Sequence, residues 1–241
     1  LRPLTVAAAA PDFIQKVTGA FRRIQPLGQR VARGDDVAVA RPLSPKRVQH
    51  RPAFAAHPAS PLLSLTILRA GLLPALKMLL TGQDTKRTLL KEACWALSNI
   101  TAGTRDQIQE VIDHGFLPLA AEKMQHADMQ VAKEAAWILS NITSGGNLAQ
   151  LLQLLEPEVM QGFGRMLQGG PGNVGTVVVE ALSNLYVAYK SAAEQGDERG
   201  EPAKDTLLTM MEDFDVLPTL SDMDDDRAAR FVLRLEEDGV L

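Results

Sequence analysis

From about Leu62 onward, long stretches with helical periodicity alternate with turns marked by Gly and Pro, and the stretches repeat. Lys91-Glu92-Ala93-Cys94-Trp95-Ala96-Leu97-Ser98-Asn99-Ile100-Thr101 returns 42 residues later as Lys133-Glu134-Ala135-Ala136-Trp137-Ile138-Leu139-Ser140-Asn141-Ile142-Thr143. Ala70-Gly71-Leu72-Leu73-Pro74 returns 44 residues later as His114-Gly115-Phe116-Leu117-Pro118. A degenerate third copy, Val179-Glu180-Ala181-Leu182-Ser183-Asn184, stands 43 residues after the second, and a fourth begins near Phe214-Asp215-Val216-Leu217-Pro218. A period of this length is that of two- or three-helix units stacked into a solenoid. Each unit reads as a helix that precedes and spans the Gly–x–Leu–Pro turn, a second helix after the Pro, and a longer third helix carrying the Trp. Pro is tolerated in a first helical turn, where its missing N–H would have no partner. Gly103 and Gly145-Gly146 are placed to end the third helices.

The third helices carry the functional signal. At 100° per residue, Lys91, Glu92, Ser98 and Asn99 fall within about 60° of Trp95. Leu90, Ala93, Leu97 and Ile100 point the other way, toward neighbouring helices. Glu134, Trp137 and Asn141 repeat that arrangement against Ala135, Leu139 and Ile142. A large aromatic beside an amide and a carboxylate on a polar face, twice in register, points to binding. The chemistry suits an extended basic peptide. Stacked helices lie about 8–10 Å apart and an extended chain rises about 3.3 Å per residue, so each unit meets about three peptide residues. Asn99 and Asn141 can pair with a peptide backbone. Trp95 and Trp137 can take the stem of a Lys or Arg between them. Glu92 and Glu134 can receive its charged tip, with Arg favoured by its two-pronged fit.

Residues 1–60 lack this pattern. Seven prolines and scattered arginines leave room for one short amphipathic helix at Phe13–Arg23 in an otherwise poorly ordered segment. The domain division is therefore 1–60, a divergent segment, and 61–241, the repeat domain. Charge follows the same boundary: +7 over residues 1–60 and −11 over 61–241. The acidic part disfavours nucleic acid and favours a basic partner. Hydrophobic residues at 46% and aromatics at 5% suit stacked helices.

At these residues the sequence resembles importin-α. Lys-Glu-Ala-x-Trp-x-x-Ser-Asn-x-Thr-x-Gly, ending in Thr101-Ala102-Gly103 and again in Thr143-Ser144-Gly145-Gly146, is similar to the seventh and eighth armadillo repeats of that family. The third copy is similar to the ninth, with Glu180 in the Trp place and Asn184 kept, and residues around Val216–Glu237 are similar to the tenth. The resemblance covers about Leu62–Glu237. It implies an all-α, right-handed superhelical armadillo solenoid of about four repeats. It implies a nuclear import adaptor that binds basic nuclear localisation signals in its concave groove, in the minor-site region, and shuttles between cytoplasm and nucleus. The implied signal-binding residues are Glu92, Trp95, Ser98, Asn99, Glu134, Trp137, Asn141, Glu180 and Asn184. Importin-β and an export receptor would be partners of a full-length molecule. The Arg-dense importin-β-binding segment and the first six repeats are not recognisable, so a fragment is expected. Residues Tyr189–Asp205 read as a polar insertion forming a solvated loop.

Two other readings stand beside this one: an armadillo scaffold of another kind, which would need a basic groove, and a non-functional truncated fragment. Other chemistry finds little support. His50, His57, His114 and His126 lack metal-ligand spacing. Asp222, Asp224, Asp225 and Asp226 lack the Gly and terminal Glu of a calcium loop. Gly162-Phe163-Gly164 and Gly169–Gly175 lack the strand and Lys of a phosphate loop. Cys94 is a lone residue facing the repeat interior, and no nucleophile–base pair is visible. Neither an enzymatic activity, a cofactor, a metal nor a membrane partner is expected; no apolar run approaches the roughly 20 residues of a span.

Overall fold

The computed structural model describes Leu68, residues 71–168 and residues 173–241, in which every regular element is helical. The expectations for residues 1–60, including the helix at Phe13–Arg23, lie outside the described residues, as do Gly169 and Gly170. The chain divides into two compact units, Leu1–Ala75 and Leu76–Leu241. Of the first, the described part is Leu68, the turn closed by a Gly71 N–H to Leu68 carbonyl bond of 3.0 Å, and the start of a helix.

The second unit holds most of α1 (Leu73–Thr81) and then α2 (Arg87–Thr101), α3 (Arg105–Asp113), α4 (Leu117–Met124), α5 (Met129–Gly145) and the short α6 (Leu148–Leu151), which runs into a 3-10 turn at Leu152–Leu154. It continues with α7 (Pro157–Gln168), α8 (Asn173–Glu194), α9 (Gly200–Asp213), α10 (Val216–Asp222) and α11 (Asp226–Glu237). Two layers run through it. The long third helices stack α2 on α5, α5 on α8 and α8 on α11; the second helices stack α4 on α7 and α7 on α10. The second helices α4, α7 and α10 each also pack on the third helix of their own repeat.

Small side chains allow the long helices to approach. Ala93, Ala96, Ala132, Ala135, Ala136 and Ala181 are buried completely. The glycines of the Gly162-Phe163-Gly164 motif have a packing role. A Cβ on Gly162 would stand 2.4 Å from Met124 Cε on α4, and one on Gly164 would stand 3.0 Å from the Phe214 carbonyl before α10. They seat α7 between its two neighbours.

The turn between first and second helices uses one left-handed residue. Gly71 has φ +63° and Gly115 φ +69°; in the fourth repeat Asp215 takes the position at φ 55°. Asp adopts this region more readily than most residues. The first helix does not span this turn, as the sequence suggested. α3 ends at Asp113, Gly115 reverses the chain, and Pro118 sits in the first turn of α4. The first helices are tied by their caps. Thr104 with Gln107 and Asn147 with Gln150 form reciprocal capping boxes. Buried Gln150 also donates to the Arg105 carbonyl at 2.9 Å and to Gln109 Oε1 at 3.0 Å, joining consecutive repeats.

Residues Tyr189–Asp205 are not the loop expected from their polarity. α8 continues to Glu194, Tyr189 is fully buried with its hydroxyl donating to the Leu151 carbonyl at 2.7 Å, and the chain turns over only 195–199 before α9. Asp197 holds that turn by accepting from the Arg199 side chain at 2.9 and 2.7 Å. The start of α9 lies hard against the end of α8: a Cβ on Gly200 would stand 2.2 Å from Ala193 N and 2.7 Å from Ala192 C. Gly200→Ala should therefore destabilise the fold by about 1–3 kcal/mol, the usual penalty of overpacking. Urea unfolding followed by circular dichroism would read this, and an unchanged midpoint would contradict the tight contact.

Candidate functional site

Lys91, Glu92, Trp95, Ser98 and Asn99 lie on α2, and Lys133, Glu134, Trp137 and Asn141 lie on α5, which packs directly on α2. The sequence-derived face is thus assembled by the stacking of two helices with the same register. Both indoles are half-buried. Neither is in ring contact with another aromatic among the described residues.

The amides are less open than the helical wheel suggests. Ser98 is 7% and Asn99 5% exposed. Asn99 Nδ2 donates to the Trp95 carbonyl at 2.7 Å, and Ser98 Oγ donates to the same carbonyl at 2.9 Å. Half-buried Asn141 reaches back across the repeat boundary, its Nδ2 donating to the Ser98 carbonyl at 2.8 Å. Asn184 on α8 continues the series: its Nδ2 lies 3.3 Å from Thr143 Oγ1 and 3.1 Å from Ser144 Oγ on α5. Asn141 and Asn184 therefore also stitch adjacent third helices together, a role the repeat pattern did not reveal. An amide has two N–H donors and an oxygen acceptor, so the bond to Ser98 occupies only part of the capacity of Asn141.

The carboxylates differ in their surroundings. Glu92 lies 3.6 Å from Lys91 Nζ. Glu134 has no Lys or Arg within 4.0 Å among the described residues. Burial raises its pKa above the ordinary carboxylate value, the fields of Lys91 and Lys133 oppose this, and Glu92 adds to it. The sequence placed Lys91 on this face, and Lys133 recurs at the same 42-residue spacing as the tryptophans, but neither was given a role. Glu180 on α8 lies 2.8 Å from Arg227 on α11, so the third repeat presents an ion pair where the first two present indoles. Arg227, at the start of α11, lies within the stretch similar to the tenth repeat, but the repeat pattern assigned it no role.

The other residues weighed from sequence have structural places. Cys94 is fully buried, and burial followed by the field of Glu134 pushes its thiol up to about 12, against a smaller opposing effect of Lys123. His114 Nδ1 lies 2.8 Å from the Glu110 carbonyl, and His126 Nδ1 accepts from Asp128 N at 2.9 Å. Asp225 caps α11 by accepting from Arg227 N at 2.8 Å and Ala228 N at 3.2 Å. No group of His, Cys, Asp and Glu suited to a metal ion occurs among the described residues, and none of their helices is long and apolar enough to cross a membrane.

The stacked three-helix units define an armadillo-repeat protein. The armadillo/β-catenin-like repeat family matches residues 60–102 and 104–144. Importin subunit alpha-4 of Arabidopsis thaliana is 31% identical over 158 residues, which are 66% of this chain and 29% of that protein. Importin subunit alpha-1a of Oryza sativa subsp. japonica is 58% identical over 45 residues, 19% of this chain and 8% of that protein. An engineered protein of known crystal structure overlays on 74% of this chain and 85% of its own with a TM-score of 0.51 and 24% identity, a likeness of fold. The chain is an importin-α-like armadillo protein, and it spans less than a third of the length of these curated relatives.

Keeping Glu134 ionised in its half-buried position opposes folding. A carboxyl whose folded pKa is raised contributes most to stability at low pH, and that contribution is lost as pH rises through the folded value. Glu134→Gln should therefore melt at a higher temperature than the parent at neutral pH. The gap should close as pH falls through the raised pKa toward the ordinary carboxylate range. Thermal melts across pH would check this; a variant no more stable than the parent at neutral pH would contradict it.

Proposed function

We propose that the chain is a non-enzymatic adaptor segment that grips basic peptides of the nuclear-localisation-signal kind along α2 and α5. The observation that carries this reading is Glu134: a half-buried carboxylate, raised in pKa by burial, with no cation within 4.0 Å among the described residues, lying on a helix face with a half-buried indole. A charge held in such a place at a cost to folding is placed for a partner that brings the opposite charge. The similarity to importin subunits supports the same conclusion.

In this reading the guanidinium or ammonium of one peptide residue meets Glu134, and Glu92 serves the neighbouring position. The apolar stems of the basic side chains lie against Trp95 and Trp137. Asn99, Asn141 and Asn184 form the polar ladder that meets the peptide backbone. Ser98 takes part through its carbonyl, which fixes Asn141. Glu180, the acidic residue of the third repeat, lies beyond them and is already paired with Arg227. As a nuclear import adaptor the protein would pass between cytoplasm and nucleus, and a full-length molecule would engage importin-β and an export receptor.

Titration of the intrinsic indole fluorescence with a Lys/Arg-rich peptide tests the proposal. Trp95→Ala combined with Trp137→Ala, followed by the anisotropy of a labelled peptide, should weaken binding about tenfold or more, given about 0.5–2 kcal/mol for each cation–π contact. Equal affinity of the parent and the double variant would overturn the assignment, and so would tighter binding of an acidic peptide.

A further inference from the structure

The carboxylate of the third repeat is met by a cation from the fourth. Arg227 Nη1 lies 2.8 Å from Glu180 Oε1, with the two side chains only 21% and 22% exposed. The pair is held by a built scaffold. Asp225 caps α11 through Oδ1, which accepts from Arg227 N and Ala228 N, while its Oδ2 accepts from Thr176 Oγ1 of α8 at 3.2 Å. Thr176 and Asp225 thus pin the start of α11 against α8, and Arg227 extends from that fixed point to Glu180, one turn of α8 beyond Thr176. Burial raises the pKa of Glu180 above the ordinary carboxylate value; of the charged groups acting on it, Arg227 opposes this and Asp225 adds to it.

The contrast with Glu134 is direct. One carboxylate of the acidic face has no cation within 4.0 Å among the described residues, and the other is occupied by a guanidinium from the next repeat. We propose that Arg227 is an internal stand-in for a basic peptide side chain and closes the groove at the third repeat, so that the groove reads a short basic stretch over α2 and α5 only. This rests on the basic-peptide reading given above. With about three extended residues per repeat, two repeats take about six residues. A peptide cation arriving at Glu180 could only exchange one guanidinium for another. Arg227, tethered beside its partner, holds the advantage of an intramolecular contact. Basic residues beyond the six therefore gain no charge-assisted bond at Glu180.

The test compares two labelled peptides with the same central six-residue Lys/Arg stretch, flanked on both sides by three Gln or by three Arg. The readout is the affinity gain from Gln flanks to Arg flanks, which removes any general effect of added charge when proteins are compared. Arg227→Gln should enlarge that gain about tenfold over the parent, the worth of one charge-assisted bond. Adding Glu180→Gln should return it to the parent value. Arg227→Met, which keeps an unbranched apolar stem, replaces the Gln variant if circular dichroism shows that the latter is unfolded. An equal flank gain in the parent and the folded Arg227 variant overturns the inference while leaving the groove reading intact. Failure of the parent to bind either peptide overturns both.

Discussion

The close stacking of α2, α5, α8 and α11 is the constraint on which the rest depends. Alanines along their buried faces let the helices approach, and burial of Leu97, Ile100, Ile138 and Leu139 with them supplies the driving force. Because the helices stack in register, side chains at equivalent positions fall into rows. Trp95 and Trp137 form one row and Asn99, Asn141 and Asn184 another. The asparagine row is also part of the stacking, since Asn141 bonds to the Ser98 carbonyl and Asn184 to Thr143 and Ser144. The proposed groove and the joint between repeats therefore share atoms, and a change that loosens the stack would disturb both.

Within this frame the two glutamates show how a repeat array is tuned locally. An ionised carboxyl loses hydration when partly buried and needs a nearby cation or donors in exchange. At Glu180 the fourth repeat supplies that cation. At Glu134 only the longer-range fields of Lys91 and Lys133 oppose the burial. Burial raises the pKa of both carboxyls, but one is paired internally at 2.8 Å and the other has no Lys or Arg within 4.0 Å among the described residues.

The fold was largely legible in the sequence because a solenoid repeats its local rules. The Trp-containing helices, the left-handed glycines at 71 and 115 and the Pro at the next helix start all recur at fixed spacing. Where the repeat decays, the reading was partial. The fourth turn was found although Asp215 replaces its glycine, but the polar composition of residues 189–205 hid a helix. Leu182, Leu185, Tyr186 and Tyr189, spaced three and four apart and all buried, carried that helical signal. For the site, the residue types and their shared face could be read from the wheel, but not the closure of Asn99, the reach of Asn141 or the arrival of Arg227. Those depend on which helix lies alongside, and a single helix wheel contains no neighbour.

The central claim is that Glu134 is held open for a basic side chain. A double-mutant cycle addresses it most directly, pairing Glu134→Gln with replacement of each Arg of a bound peptide in turn by citrulline, which keeps the shape and removes the charge. The account predicts that one peptide position couples to Glu134, its replacement weakening binding to the parent several-fold more than binding to the variant. Additive effects at every peptide position would contradict it.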